Sequence, residues 1–279
     1  MRARWSLPLT HVNGRNLWAA ENASVGRRHS ENTNICHASM KTTRILLLCM
    51  LSLVLSGHAL AADSLAQVLD KVATAYGPAP GAIRETGTTF SVLEGEGSLL
   101  RLYKFPDRFH IEIAYAIASE DRTMIGAKSW NKRAPANDLT RGSIALQAAR
   151  IALPWSLLSR QSAAIDRGTA SATDGRTVRV IEIPLDDVLR MLVDVDPQTG
   201  YVLRSRGIYV TGGTAVEFAT LFSDFRKNGG RVHAAREEQF AARAKTGYSF
   251  IEKVEFLETI PDSAFAPWAL ADSGQAAID

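Results

Sequence analysis

Cysteine is nearly missing from this chain of 279 residues: Cys36 and Cys49 stand alone, and both precede Ala61. Beyond that point no disulfide, thiolate metal site or cysteine nucleophile is available. Histidine is almost as scarce there. His110 and His233 lie more than a hundred residues apart, and neither sits in an H-E-x-x-H or comparable ligand spacing. His110 alternates with Phe109 and Ile111, which predicts a solvated residue on the polar side of a strand. No G-x-S-x-G elbow or Walker loop occurs, and Gly95-Glu96-Gly97 lacks the third glycine of a dinucleotide fingerprint. That segment reads as a hairpin turn. The expectation is a chain with no metal, no cofactor and no catalytic residue that its motifs reveal.

A membrane-spanning run is also lacking. The longest apolar stretch, Ile45 to Leu55, has eleven residues, against the roughly 20 that a transmembrane helix needs. Lys41 and Arg44 precede it, and Ala59 and Ala61 follow with A-x-A spacing. This is the layout of a cleavable secretory signal over residues 40–61, with Ala62 as the first mature residue; an uncleaved anchor is the alternative. Residues 1–39 are polar and unpatterned, and read as an over-extended N-terminus ahead of Met40. Cys49 follows three leucines, not small residues, so a lipid-anchored mature N-terminus is not expected.

Positive charge is the next absence. The formal +3 belongs to the precursor, and after Ala61 there remain 25 Lys/Arg against 27 Asp/Glu, a net −2. A nucleic-acid binder gains its affinity from a concentrated basic face, so that class is excluded. The 218 residues of 62–279 contain no evident linker and are read as one domain, working outside the cytoplasm.

What is present is mostly β. Leu65, Val68, Leu69, Val72 and Tyr76 keep helical spacing behind Ser64, and Gly77-Pro78-Ala79-Pro80-Gly81 ends that helix. From Ile83 onward short β-branched and aromatic runs take over, clearest where Phe109, Ile111, Ile113 and Tyr115 share one parity. Pro106-Asp107 marks a turn. One helical interruption, Asn137 to Leu158, begins at a possible Asp138 cap, is broken by Pro154, and is apolar over most of its circumference. Strand patterning then returns through Leu257, and Pro261 to Phe265 forms a closing helical turn.

Two runs, Val178 to Leu185 and Tyr248 to Leu257, are apolar on both parities. Antiparallel sheets normally wet one face, so a second apolar face implies covering helices, a cavity for an apolar ligand, or ordinary core packing. The helices are too few to cover everything, and a curled sheet with helices plugging its concave side satisfies the pattern. The acidic run Asp194 to Gly200 has the paired carboxylates of a calcium loop, but its glycine comes seventh and Ser205 stands where the bidentate glutamate belongs. A hairpin with Gly200 at positive φ accounts for it better.

Four stretches together resemble the LolA family of periplasmic lipoprotein carriers and its wider superfamily. They are Gly95-x-Gly97 leading to Phe105-Pro106-Asp107-Arg108-Phe109; Gly126-Ala127-Lys128-Ser129-Trp130; Val193 to Asp196 through Thr199-Gly200; and Val254 to Phe265 with Ile260-Pro261. The resemblance implies a mainly β fold with some α, an incomplete antiparallel β-barrel closed by lid helices. It also implies a carrier, not an enzyme, that binds lipids or lipoprotein acyl chains, works as a monomer, and has inner-membrane and outer-membrane transport proteins as partners. Family carriers place an arginine before the proline of the first motif to hold the lid, and here Phe105 takes that position. Candidate lining residues are Phe105, Phe109, Ile111, Ile113, Tyr115, Trp130, Ile151, Trp155, Phe218, Phe222 and Phe250, each of which could equally be core. A lipid-sensing or transporter-accessory domain, and a hydrolase assembled by folding, are the competing readings.

Overall fold

The structure is a computed structural model and describes residues 63–267 apart from 133 and 212. The secretory signal expected over residues 40–61 and the segment before it lie outside the described residues.

Helix α1 (Leu65–Tyr76) starts where the sequence demands it. Ser64 Oγ accepts from the Gln67 N–H and the Gln67 side chain accepts from the Ser64 N–H, a reciprocal cap. Its buried stripe is Val68, Leu69, Val72 and Tyr76, and it ends at Gly77 with φ of 68°.

Thirteen antiparallel strands follow in one sheet. They are β1 (Ala82–Ser91), β2 (Gly95–Lys104), β3 (Arg108–Tyr115), β4 (Ser119–Ile125), β5 (Lys128–Asn131), β6 (Ala134–Pro135), β7 (Ile165–Ser171), β8 (Thr177–Pro184), β9 (Leu189–Val195), β10 (Val202–Thr211), β11 (Thr214–Asn228), β12 (Arg231–Ala241) and β13 (Ala244–Leu257). Their order is β6-β5-β4-β3-β2-β1-β13-β12-β11-β10-β9-β8-β7, so the first and last strands pair at the centre. Among the described residues strands β6 and β7 form the two edges of the sheet. The sheet is therefore an incomplete barrel, and its two edges are joined by α2 (Asp138–Ile151) and α3 (Trp155–Ser159).

Helix α2 packs on β4 and β5 from one wall and on β9 and β10 from the other. Ile144, Leu146, Ala148, Ile151, Trp155 and Leu157 join one core with Phe109, Ile111, Ile183 and Met191. The cap of α2 is Asn137, whose Oδ1 accepts from the Thr140 N–H at 2.9 Å, and not Asp138, which sits in the first turn. Pro154 separates the two helices as its missing N–H requires.

The apolar runs on both parities have two different origins. In β8, Ile181 and Ile183 enter the concave core, while Val178 and Val180 meet Leu203 in a separate cluster closed by side chains of the sheet itself. In β13 the cause is a bulge. Thr86 pairs Lys253 while Gly87 pairs Ile251, so Glu252 is an extra residue and the inward parity switches across it. Ile251 before the bulge and Val254 after it therefore reach the same core. On the convex face the 3-10 turn Asp262–Phe265 seats a fully buried Phe265 against Ala82, Leu102 and Ile260.

Local turns follow the sequence with one correction. The Pro106-Asp107 and Pro197 to Gly200 turns occur as expected, the latter with Gly200 at φ of 74°. Gly95 and Gly97 are not the turn but the start of β2, the reversal being made by Val92 to Glu94. Gly97 is needed inside the strand, because a Cβ there would lie 2.8 Å from the Ala114 carbonyl oxygen and from the Tyr115 ring.

Candidate ligand-binding site

The concave face holds a cavity of about 330 Å³ roofed by α2. Strand register sets its walls. Leu99 and Arg101 pair with Ile113 and Ile111, which pair in turn with Glu120 and Arg122. From the far side come Phe218 and Thr220 of β11 and Gln239 of β12, and from the roof Leu146, Gln147 and Arg150. A smaller, more apolar space of about 60 Å³ lies beside it, against Tyr76, Ile151, Trp155, Phe222 and Val254. A third, of about 520 Å³, lies between the outer side of α2 and α3 and the turn carrying Phe105 and Pro106.

The expected lining residues divide among these spaces. Ile111, Ile113, Tyr115 and Phe218 line the cavity of about 330 Å³, Ile151, Trp155 and Phe222 the smaller one beside it, and Phe105 and Trp155 the outer space. Phe109 is fully buried core and lines none of the three. Two residues point away. Trp130 pairs with Thr123, between the inward Arg122 and Met124, and so faces the convex side. Phe250 is 39% exposed, edge-on to Tyr248 with the Arg236 guanidinium 5.3 Å above its ring.

Phe105 gives α3 a ring contact. Its centroid is 6.0 Å from that of Trp155, which also meets Tyr76 at 6.3 Å and Phe256 at 5.8 Å, all edge-on. The indole N–H of Trp155 donates to the Gly77 carbonyl at 3.0 Å. Helix α3 is thus held by aromatic contacts and one polar tie.

What the sequence reading missed is a buried ionic cluster beneath the cavity. Arg101 is 1% exposed, and its Nη1 and Nη2 donate to Glu237 Oε2 and Oε1 at 2.8 and 3.1 Å. Its Nε lies 2.9 Å from Glu85 Oε2, an ion pair whose angle falls short of a hydrogen bond. From the lid, Arg150 Nη1 donates to Thr220 Oγ1 at 3.0 Å and stands 3.9 Å from Glu237 Oε2.

Burial raises the carboxyl groups, but for Glu237 the nearby Arg101 and Arg150 outweigh it and hold the group below its ordinary range. For Glu85 burial prevails over Arg101, and its carboxyl is pushed up. Burial likewise lowers Arg150, while for Arg101 the two carboxylates overcome it and keep the guanidinium above its usual value. The signal was available: Arg101 shares parity with Leu99 and Tyr103 in a strand whose inward side is otherwise apolar.

His110 is not solvated. Its Nδ1 lies 3.0 Å from Thr123 Oγ1 and 3.7 Å from Asp121, the side chain is 12% exposed, and burial lowers its pKa against the opposing pull of Asp121.

No family model matches the sequence, and no curated protein matches it. The solved structures that it resembles include three at low identity. A LolA superfamily protein from Nitrosomonas europaea is 15% identical, with a TM-score of 0.49 over 74% of this chain and 98% of that one. A putative outer membrane lipoprotein-sorting protein domain from Vibrio parahaemolyticus is 10% identical, with a TM-score of 0.43 over 71% and 94%. A DUF1329 family protein from Desulfovibrio piger is 12% identical, with a TM-score of 0.43 over 74% and 96%.

Proposed function

We propose that this chain is a non-enzymatic periplasmic protein that binds lipids or the acyl chains of lipoproteins beneath α2 and α3 and carries them between membranes. The observation that carries the reading is the roofed cavity, whose walls bring Ile111, Ile113, Leu146, Met191 and Phe218 together inside a sheet that does not close. Each methylene removed from water there contributes about 0.8 kcal/mol, so a modest chain supplies useful affinity even after ordering costs. The periplasmic address rests on the secretory signal read in the sequence. Inner-membrane and outer-membrane transport proteins are the partners that such transfer requires.

Native mass spectrometry of protein purified from the periplasm tests the reading. Retained, extractable lipid is expected, and its persistent absence would overturn it. Adding the mature protein to inner-membrane vesicles then separates carrier from sensor: a carrier releases lipid or lipoprotein from them, and a lipid-sensing accessory domain does not.

A further inference from the structure

The cavity beneath α2 is not simply an oily space, because one of its cations is left under-partnered. Arg101 spends its guanidinium on Glu237 and Glu85, and Arg122 pairs with Glu120 at 2.8 Å. Arg150 has a hydroxyl, Thr220, and a carboxylate 3.9 Å away whose two oxygens already accept from Arg101. Its Nε is buried and has no acceptor among the described residues, and Gln147 Oε1, one turn earlier on the same helix, has no donor among them. The Arg150 side chain as a whole keeps 13% of its surface accessible and lines the cavity, so a ligand oxygen that reaches its guanidinium supplies a charge-assisted partner that the protein leaves out. Ser249, Thr89 and Gln239 add hydroxyl and amide groups to the opposite wall, where Gln239 Nε2 donates to Ser249 Oγ at 3.1 Å.

Resting on the lipid-binding reading above, we infer that the cavity takes an amphiphile with a single anionic head, a carboxylate or a phosphate, seated against Arg150, with its apolar part along Ile111, Ile113, Leu146 and Phe218. The arrangement fits a charge-assisted contact, stronger than a neutral hydrogen bond and made in a partly dehydrated space. Size agrees with a short amphiphile. At roughly 30 Å³ per water-sized group, a cavity of 330 Å³ holds about a dozen non-hydrogen atoms, the size of decanoate. Because Arg150 belongs to the roof helix, an occupied head subsite also ties α2 to its ligand.

The test compares three probes on the mature protein by isothermal titration: decanoate, uncharged decanol, and octyl phosphate, each of about a dozen non-hydrogen atoms. Either anionic probe should bind about tenfold or more tightly than decanol, as expected for a hydrogen bond to a charged group. Which of the two binds more tightly tells a carboxylate from a phosphate as the head. Arg150→Met should lose that preference, and Arg150→Lys should keep part of it. The comparison of probes on the unaltered protein stands even if the methionine variant folds poorly. Equal binding of decanol and both anions would overturn the head subsite and leave lipid binding intact. Failure of all three to bind would remove the lipid reading, and the subsite with it.

Discussion

Replacing Arg101 by methionine removes the cation to which Glu85 and Glu237 are both joined, in a place where solvent cannot take its part. Arg101 is 1% exposed and the two carboxylate side chains are 16% and 8% exposed. Breaking a buried pair by deleting one partner costs about 3 to 5 kcal/mol, mostly from the charge left behind. With a urea slope of about 3 kcal/mol per molar, the upper end of the usual range as suits a domain of this size, the midpoint should fall by roughly 1 to 2 M at pH 7. The loss should also depend on pH in a defined direction. In the parent, Glu237 is held below its ordinary 4.5, so its stabilisation is present above that value and is lost as pH falls through the lowered one. In the variant burial acts on Glu237 without Arg101, its pKa rises, and protonation on acidification stabilises the variant. The gap between the two proteins must therefore narrow from pH 7 to pH 5. Replacing Arg101, Glu85, Glu237 and Arg150 together by apolar residues of similar volume should recover most of the loss. A midpoint shift below about 0.3 M, a gap unchanged at pH 5, or a fourfold variant as unstable as the single one would each refute the electrostatic account.

Trp155→Asp should abolish lipid uptake, since it removes the three ring contacts of α3 and buries a carboxylate in their place, whereas Trp155→Phe should retain uptake; normal uptake by a folded aspartate variant would dismiss α3 as a lid. Gly200→Ala should cost about 3 kcal/mol in chemical unfolding, because φ is 74° and the new Cβ would meet the Lys71 carbonyl carbon and oxygen at 2.4 Å; a loss below about 1 kcal/mol would show that α1 yields easily. His110→Gln keeps a partner for Thr123 and removes a group that burial holds below its ordinary 6.5, so its stabilisation is present above that pH and lost as pH falls. The variant should accordingly lose less stability than the parent between pH 7 and 5, and equal slopes would refute the assignment.

The β-rich architecture was legible because its elements obey local rules. Ser64 caps α1 through Gln67, Pro154 splits the lid helices, and Phe109, Ile111, Ile113 and Tyr115 declare one inward face. The apolar pattern of β13 was harder to interpret. Its two parities suggested two apolar faces, but a single extra residue at Glu252 exchanges the faces halfway along, and sequence alternation cannot tell a bulge from a strand buried on both sides. The same limit misplaced Phe250, which lies on the convex side of that bulged strand, and Trp130, whose facing is set by its pairing with Thr123.

The site was legible only in its apolar half. An aromatic or aliphatic residue announces an inward face by its spacing, but a buried charge announces itself only through its partners, and these come from distant strands. Glu85, Arg101, Arg150 and Glu237 lie on β1, β2, α2 and β12, and nothing local to any of them identifies the other three. An arginine at inward parity in β2 is a sufficient warning, because an unpaired charge could not be buried there. It follows that the interior had to contain carboxylates, that a helix reaching across it would meet them, and that the space beneath α2 presents both an apolar wall and the arginine those carboxylates leave least satisfied.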